Sequence, residues 1–140
     1  MAKSAILIVD DDEDDLMLIR SVAEKLDLGR DVITFRSGDE LVHHLKTSPE
    51  SPLLIISDVN LPKDTGFDLK NRLANEPELK YKSVPFIFWS TAASEAQIQH
   101  AYDLPAQGFF FKPSNFDDLC TVFENIVSYW QLSQHPKRIN

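Results

Sequence analysis

Ala5-Ile6-Leu7-Ile8-Val9-Asp10-Asp11 is the stretch that decides how this chain folds. Five apolar residues with no polar alternation make a strand buried on both faces, as found in parallel sheets covered by helices. Two aspartates stop the run at its carboxyl end. Three later stretches repeat the pattern: Leu53-Leu54-Ile55-Ile56-Ser57 leads to Asp58, Phe86-Ile87-Phe88-Trp89 to Ser90-Thr91, and Phe109-Phe110-Phe111 to Lys112-Pro113. If these runs are parallel strands of one sheet, their carboxyl ends share an edge. Asp10, Asp11 and Asp58 then converge there with a hydroxyl and the Lys112 ammonium, a set suited to a divalent metal and a phosphoryl group.

The segments between these runs carry helical period. Leu16, Ile19, Val22, Ala23 and Leu26 recur every three or four residues, which predicts an amphipathic helix ending near Gly29. Val32-Ile33-Thr34-Phe35 reads as a further strand. Ser37 with Glu40 forms a capping box before a stripe of Leu41, Val42 and Leu45. Gly66-Phe67-Asp68-Leu69 opens a helix that ends before Pro77, and Pro85 starts the next strand. Ser94 with Gln97 caps a helix to about Asp103, which Pro105 stops. Ser114 begins a final helix with Leu119, Val122, Phe123, Ile126, Val127 and Trp130 on its buried face. Five strand–helix units follow, which implies a parallel sheet between two helical layers with right-handed crossovers.

Length and composition narrow the function. At 140 residues the chain is expected to be one domain, 1–140, with a core over 5–130 and a polar tail over 131–140. A net charge of −8 argues against a broad basic surface for nucleic acid. The apolar run after Met1-Ala2-Lys3-Ser4 is too short for a signal-peptide core or a membrane span, so a cytoplasmic location is expected. Cys120 is the sole cysteine, which excludes an internal disulfide and a thiolate metal cluster.

A hard cation such as Mg²⁺ takes oxygen ligands, and together with Lys112 it balances the charge of three aspartates. A phosphoryl group moved onto one carboxylate adds about one further negative charge, which metal and lysine stabilise without a general base. A carboxylate is already nucleophilic at neutral pH, so an aspartyl phosphate is within reach.

At these residues the chain resembles the receiver domain of two-component response regulators. The resemblance runs from about Ala5 to Trp130. It rests on Val9-Asp10-Asp11, Asp58 with Leu61-Pro62 and Gly66, the hydroxyl closing the fourth strand, and Lys112-Pro113. It implies a flavodoxin-like (βα)5 three-layer sandwich with strand order 2-1-3-4-5. It also implies that Asp58 accepts the phosphoryl group and that Asp11 binds Mg²⁺ directly. Asp10 would act through a water, Asn60 through its backbone carbonyl, and Lys112 would hold a phosphoryl oxygen ahead of a cis Lys112–Pro113 bond. Ser90, five residues after Pro85, takes the place of the switch hydroxyl, with Thr91 as runner-up. Phe109 stands where receivers carry an aromatic that turns inward on activation.

Two departures from the family pattern stand out: Asp64-Thr65 where receivers usually carry Met-Asp, and Pro105 in place of a glycine. The resemblance implies a stand-alone signalling domain that catalyses only its own phosphorylation and dephosphorylation. A histidine kinase or phosphotransfer protein would supply the phosphoryl group. Output would pass to an unidentified protein partner, with the domain a monomer or a weak homodimer through the face of helix four, strand five and helix five. Tyr129-Trp130 is a candidate contact there, or part of the core.

Other readings compete. Asp12, Glu13, Asp14 and Asp15 read as a solvated helix start facing the dipole. Asp10, Asp12 and Asp14 imitate the start of a calcium loop, but Asp15 stands in place of its glycine and Ser21 in place of its glutamate. Phe109, Phe110 and Phe111 read as core filling, and His43, His44, His100 and His135 lack metal-ligand spacing. An aspartate-nucleophile phosphatase would need a second acid two residues beyond Asp58, where Asn60 stands. A receiver-like interaction module that works without phosphorylation is the remaining alternative.

Overall fold

Leu54–Asp58 is the middle strand of a five-stranded sheet whose neighbours all run parallel to it. A computed structural model describes residues 3–61, 63, 65–83, 85–104 and 106–135. Pro62, Asp64 and Pro105, three positions singled out above, lie outside the described residues, as does the end of the tail from residue 136. The elements alternate as β1 (Ile6–Val9), α1 (Glu13–Leu26), β2 (Val32–Phe35), α2 (Gly38–Thr47), β3 (Leu54–Asp58), α3 (Gly66–Ala74), β4 (Phe86–Ser90), α4 (Glu95–Asp103), β5 (Gly108–Phe111) and α5 (Phe116–Leu132). The sheet order is β2-β1-β3-β4-β5, the flavodoxin-like arrangement.

The sheet buries both faces because the inner strands are apolar until their carboxyl ends, where Ser57, Asp58 and Ser90 stand. Ile6, Ile8, Leu54, Ile56, Ile87 and Trp89 pack with Leu16 and Ile19 of α1 and Leu119 and Phe123 of α5. Leu7, Val9, Ile55, Phe86 and Phe88 face the other way, against Leu41 and Leu45 of α2, Phe67 and Leu73 of α3, and Ala101 of α4. This is the period of two that sends neighbouring side chains of a strand to opposite faces. Burying a Leu, Ile or Phe side chain contributes roughly 1.5–3 kcal/mol, so these layers dominate the folding energy.

Local signals set the helix ends. The Asp12 side chain caps α1 by accepting from the N–H groups of Asp14 and Asp15. The helix stops at Leu26, earlier than the predicted Gly29, because Asp27 turns into the left-handed region with φ 48°. Ser94 and Gln97 close a reciprocal box, as do Thr65 and Asp68. The Ser37–Glu40 box forms only by half. Ser37 accepts from the Glu40 N–H, but Glu40 turns to the N–H of Arg36.

Two expectations fail near the end of the chain. Phe110 and Phe111 do not fill the core; they are 37% and 57% exposed, because β5 is an edge strand covered less completely than β3 or β4. The tail does not begin at residue 131. Asn115, not Ser114, caps α5, and the helix continues to Leu132, with His135 buried beyond it.

Candidate functional site

The register lines up the four strand ends. Val9 pairs with Ser57, Asp58 with Trp89, and Ser90 with Phe111, so Asp10, Asp58, Ser90 and Lys112 rise from one edge. Asp10 is fully buried and its N–H donates to the Phe35 carbonyl at 3.0 Å, which continues the ladder one step beyond β1. Its carboxylate accepts from the Asp12 N–H at 3.0 Å and from Lys112 Nζ at 2.6 Å. Asp11 is exposed, and Asp58 is half-buried with the Asn60 N–H 3.4 Å from its Oδ1.

Asp10, Asp11 and Asp58 each offer one carboxylate oxygen, and these oxygens lie within 4.8 Å of one another. Three hard, anionic oxygens at that spacing fit a divalent cation such as Mg²⁺ and suit a soft metal poorly. Lys112 stands on the inner side of the cluster, its side chain 5% exposed. Its ammonium is 3.6 Å from Asp58 Oδ2 and 5.5 Å from the centre of the Trp89 ring. The Lys112 N–H donates to the Ser90 carbonyl at 2.7 Å, which fixes where the side chain starts.

The electrostatics follow from burial. Desolvation pushes the Asp58 carboxyl up to about 6, with Asp10 and Asp11 adding to the rise and Lys112 opposing it. Desolvation also raises Asp10, against the pull of its bond to Lys112. For Lys112 burial works against the charge, but the bond to Asp10 and the fields of Asp58 and Asp15 outweigh it and hold the ammonium firmly protonated. An anionic cluster with one fixed cation is primed to gain from a second cation.

Of the two hydroxyls, Ser90 is the buried one, its Oγ donating to the Ala92 carbonyl at 2.8 Å, while Thr91 is exposed. Phe109 is half-buried beside this edge, its ring 6.3 Å from Phe88 and 6.4 Å from Phe111. Sequence reasoning missed Asp15. Read as part of a solvated helix start, it instead bonds Lys112 Nζ at 3.1 Å. No signal in the sequence separates Asp15 from its acidic neighbours, since Asp11 lies before the Asp12 cap and shares no helical spacing with it.

Known proteins resemble this chain in sequence and in fold. Response regulator Rcp1 of Synechocystis is 28% identical over 130 residues, spanning 89% of this chain and 87% of that protein. The phosphorylated cyanobacterial phytochrome response regulator RcpA superposes with a TM-score of 0.84 at 28% identity, over 96% of this chain and 99% of its own. The Mn²⁺-bound form of response regulator Rcp1 gives 0.80 at 26% identity, over 96% and 99%. Among the described residues no helix is long and apolar enough to cross a membrane. Residues 6–124 match the response regulator receiver domain, and the chain belongs to that family.

Proposed function

We propose that this protein is a phospho-accepting switch in which Asp58 takes a phosphoryl group from the phosphohistidine of a histidine kinase or phosphotransfer protein. A carboxylate oxygen of Asp58 forms the new P–O bond as the P–N bond to imidazole breaks, and the imidazole nitrogen leaves with the electron pair. The observation that carries the reading is the placement of Asp58 at a strand end, facing Lys112 across 3.6 Å and sharing a cluster with Asp10 and Asp11. Asp11, Asp58 and the Asn60 carbonyl would hold Mg²⁺, with Asp10 acting through water, and the ion would supply charge neutralisation for the transferred group. Lys112 binds a phosphoryl oxygen, Pro113 follows it through a cis peptide, and Ser90 turns from the Ala92 carbonyl toward the new charge. Phe109 repacks as Ser90 moves.

Output then runs through protein contact. Tyr102 of α4, Phe110 of β5 and Tyr129 of α5 are 53%, 37% and 65% exposed and line one shallow cleft. Exposed aromatics in such density suit a partner surface, either a downstream protein or a second copy. The Asp58 acceptor and the Mg²⁺ dependence are tested by intact mass after incubation with acetyl phosphate, and the kinase donor by the same measurement with phosphorylated kinase. One phosphoryl group should appear with Mg²⁺, and none with chelator or in Asp58→Asn. A wild-type protein that stays unmodified with acetyl phosphate and with phosphorylated kinase overturns the reading.

A further inference from the structure

At the amino-terminal edge of the sheet, away from Asp58, a cleft of about 400 Å³ opens between α3, the segment before β4, and the end of α5. Its walls include Ala74, Tyr81, Pro85, Leu104 and Trp130, and they are largely apolar. Lys70 of α3 enters it from beneath, and that residue is 4% exposed. Among the described residues no carboxylate or hydrogen-bond acceptor meets the Lys70 ammonium, which instead lies 5.6 Å from the centre of the Phe86 ring. Burial accordingly pushes the Lys70 amine down from its usual value.

The rest of the polar lining is neutral or basic, with Gln107, Ser133 and Gln134 beside Lys80. Among the described residues no Asp or Glu lines the cleft, in a chain of net charge −8. With Lys70 as its buried charge and no carboxylate among the described lining residues, the cleft offers an anion one cation and no opposing charge. Its size, flat aromatic walls and single buried ammonium describe a pocket with an apolar body and one polar anchor. We propose that this cleft binds a small aromatic monocarboxylate, its ring system between Tyr81, Pro85 and Trp130 and its carboxylate on Lys70. The buried pair so formed gains from mutual neutralisation in a poorly solvated place, whereas a neutral ligand of the same shape gains only the apolar contact.

The test is calorimetric titration of the full chain with 2-naphthoate and with 2-naphthalenemethanol, which share a ring system and differ in charge. The acid should bind at one site and at least tenfold more tightly than the alcohol. Lys70→Met, which removes a buried cation and keeps the stem, should bring the acid down to the alcohol. Ala74→Phe, which fills the cleft and leaves Lys70 in place, should abolish binding of both. Asp58→Asn should bind the acid as the wild type does, so the result stands apart from the phosphorylation reading. Backbone and indole ¹H–¹⁵N shifts should move at Trp130 and Phe86 on titration. The proposal is overturned if the acid fails to saturate into the millimolar range, if acid and alcohol bind alike, or if Lys70→Met binds the acid as tightly as the wild type.

Discussion

Asp15, in the first turn of α1, sets its Oδ2 3.1 Å from Lys112 Nζ, closer than Asp58 Oδ2 at 3.6 Å. The lysine thus divides its charge among three carboxylates, and Asp15, its side chain one-third exposed, draws the ammonium toward the helix. Asp15 acts on Asp58 through Lys112, as a positioning residue. Asp15→Asn should free the ammonium toward Asp58 and raise the initial rate of phosphorylation by acetyl phosphate about threefold, a change of ~0.6 kcal/mol. A rate unchanged or lowered, with the fold intact, would remove Asp15 from the account.

Lys112 should matter for stability before it matters for chemistry. Its removal leaves Asp10, fully buried, and Asp58, half-buried, without their cation. Breaking a buried pair by deleting one partner costs about 3–5 kcal/mol. Lys112→Met should therefore lower the urea midpoint clearly at pH 7.5, and MgCl₂ should restore more stability to the variant than it adds to the wild type. Equal midpoints without metal would mean that the cluster is better hydrated than its burial implies.

Asp58 predicts a pH dependence with a definite sign. Its carboxyl rises from 3.8 to about 6 on folding, so between those values the folded state holds a proton that the unfolded state has lost. Stability from this group is fully present below pH 3.8 and is lost as pH rises through about 6. At pH 7.5 the ionised form costs on the order of 3 kcal/mol in the metal-free protein. Asp58→Asn should therefore stabilise the metal-free protein at pH 7.5, and the gain should shrink to nothing near pH 4. Thermal unfolding at both pH values checks this, and an equal effect at both would falsify it.

Much of this was legible in the sequence because the informative residues are local. An unbroken apolar run ending in a charge gives strand, burial and edge together, so β1, β3 and the convergence of Asp10, Asp58 and Lys112 could be read in advance. Exposure of β5 could not, since Phe109-Phe110-Phe111 has the composition of an inner strand and only its place at the sheet margin leaves Phe110 and Phe111 open. Asp15 and Lys70 were hidden for a related reason. Asp15 sits in an acidic run that suits a helix start on its own, and Lys70 on an amphipathic helix reads as a solvated charge. What distinguishes each is a contact with residues far away in the chain, Lys112 for one and Phe86 for the other.

Gly66 connects the fold to the site most tightly, and comparison with Gly38 isolates the reason. Each glycine is the first residue of its helix, α3 for Gly66 and α2 for Gly38. A Cβ on Gly66 would run into the backbone oxygen of Asp58 and lie 3.2 Å from the Phe88 ring and from the Val59 Cα. Backbone cannot step aside there, because the Gly66 N–H also donates to the Val59 carbonyl at 2.7 Å. A Cβ on Gly38 would meet only the tip of the Leu69 side chain, at 3.1 Å, which can rotate. Gly66→Ala should thus cost about 1–3 kcal/mol through overpacking. It should also weaken Mg²⁺ binding severalfold by displacing Asp58. Gly38→Ala should stay within ~1 kcal/mol of the wild type, since alanine's better helix propensity offsets the tighter contact. Urea midpoints and Mg²⁺ titrations on both variants measure this. Equal losses in the two would show that the close approach of α3 to Asp58 does not hold the site in place.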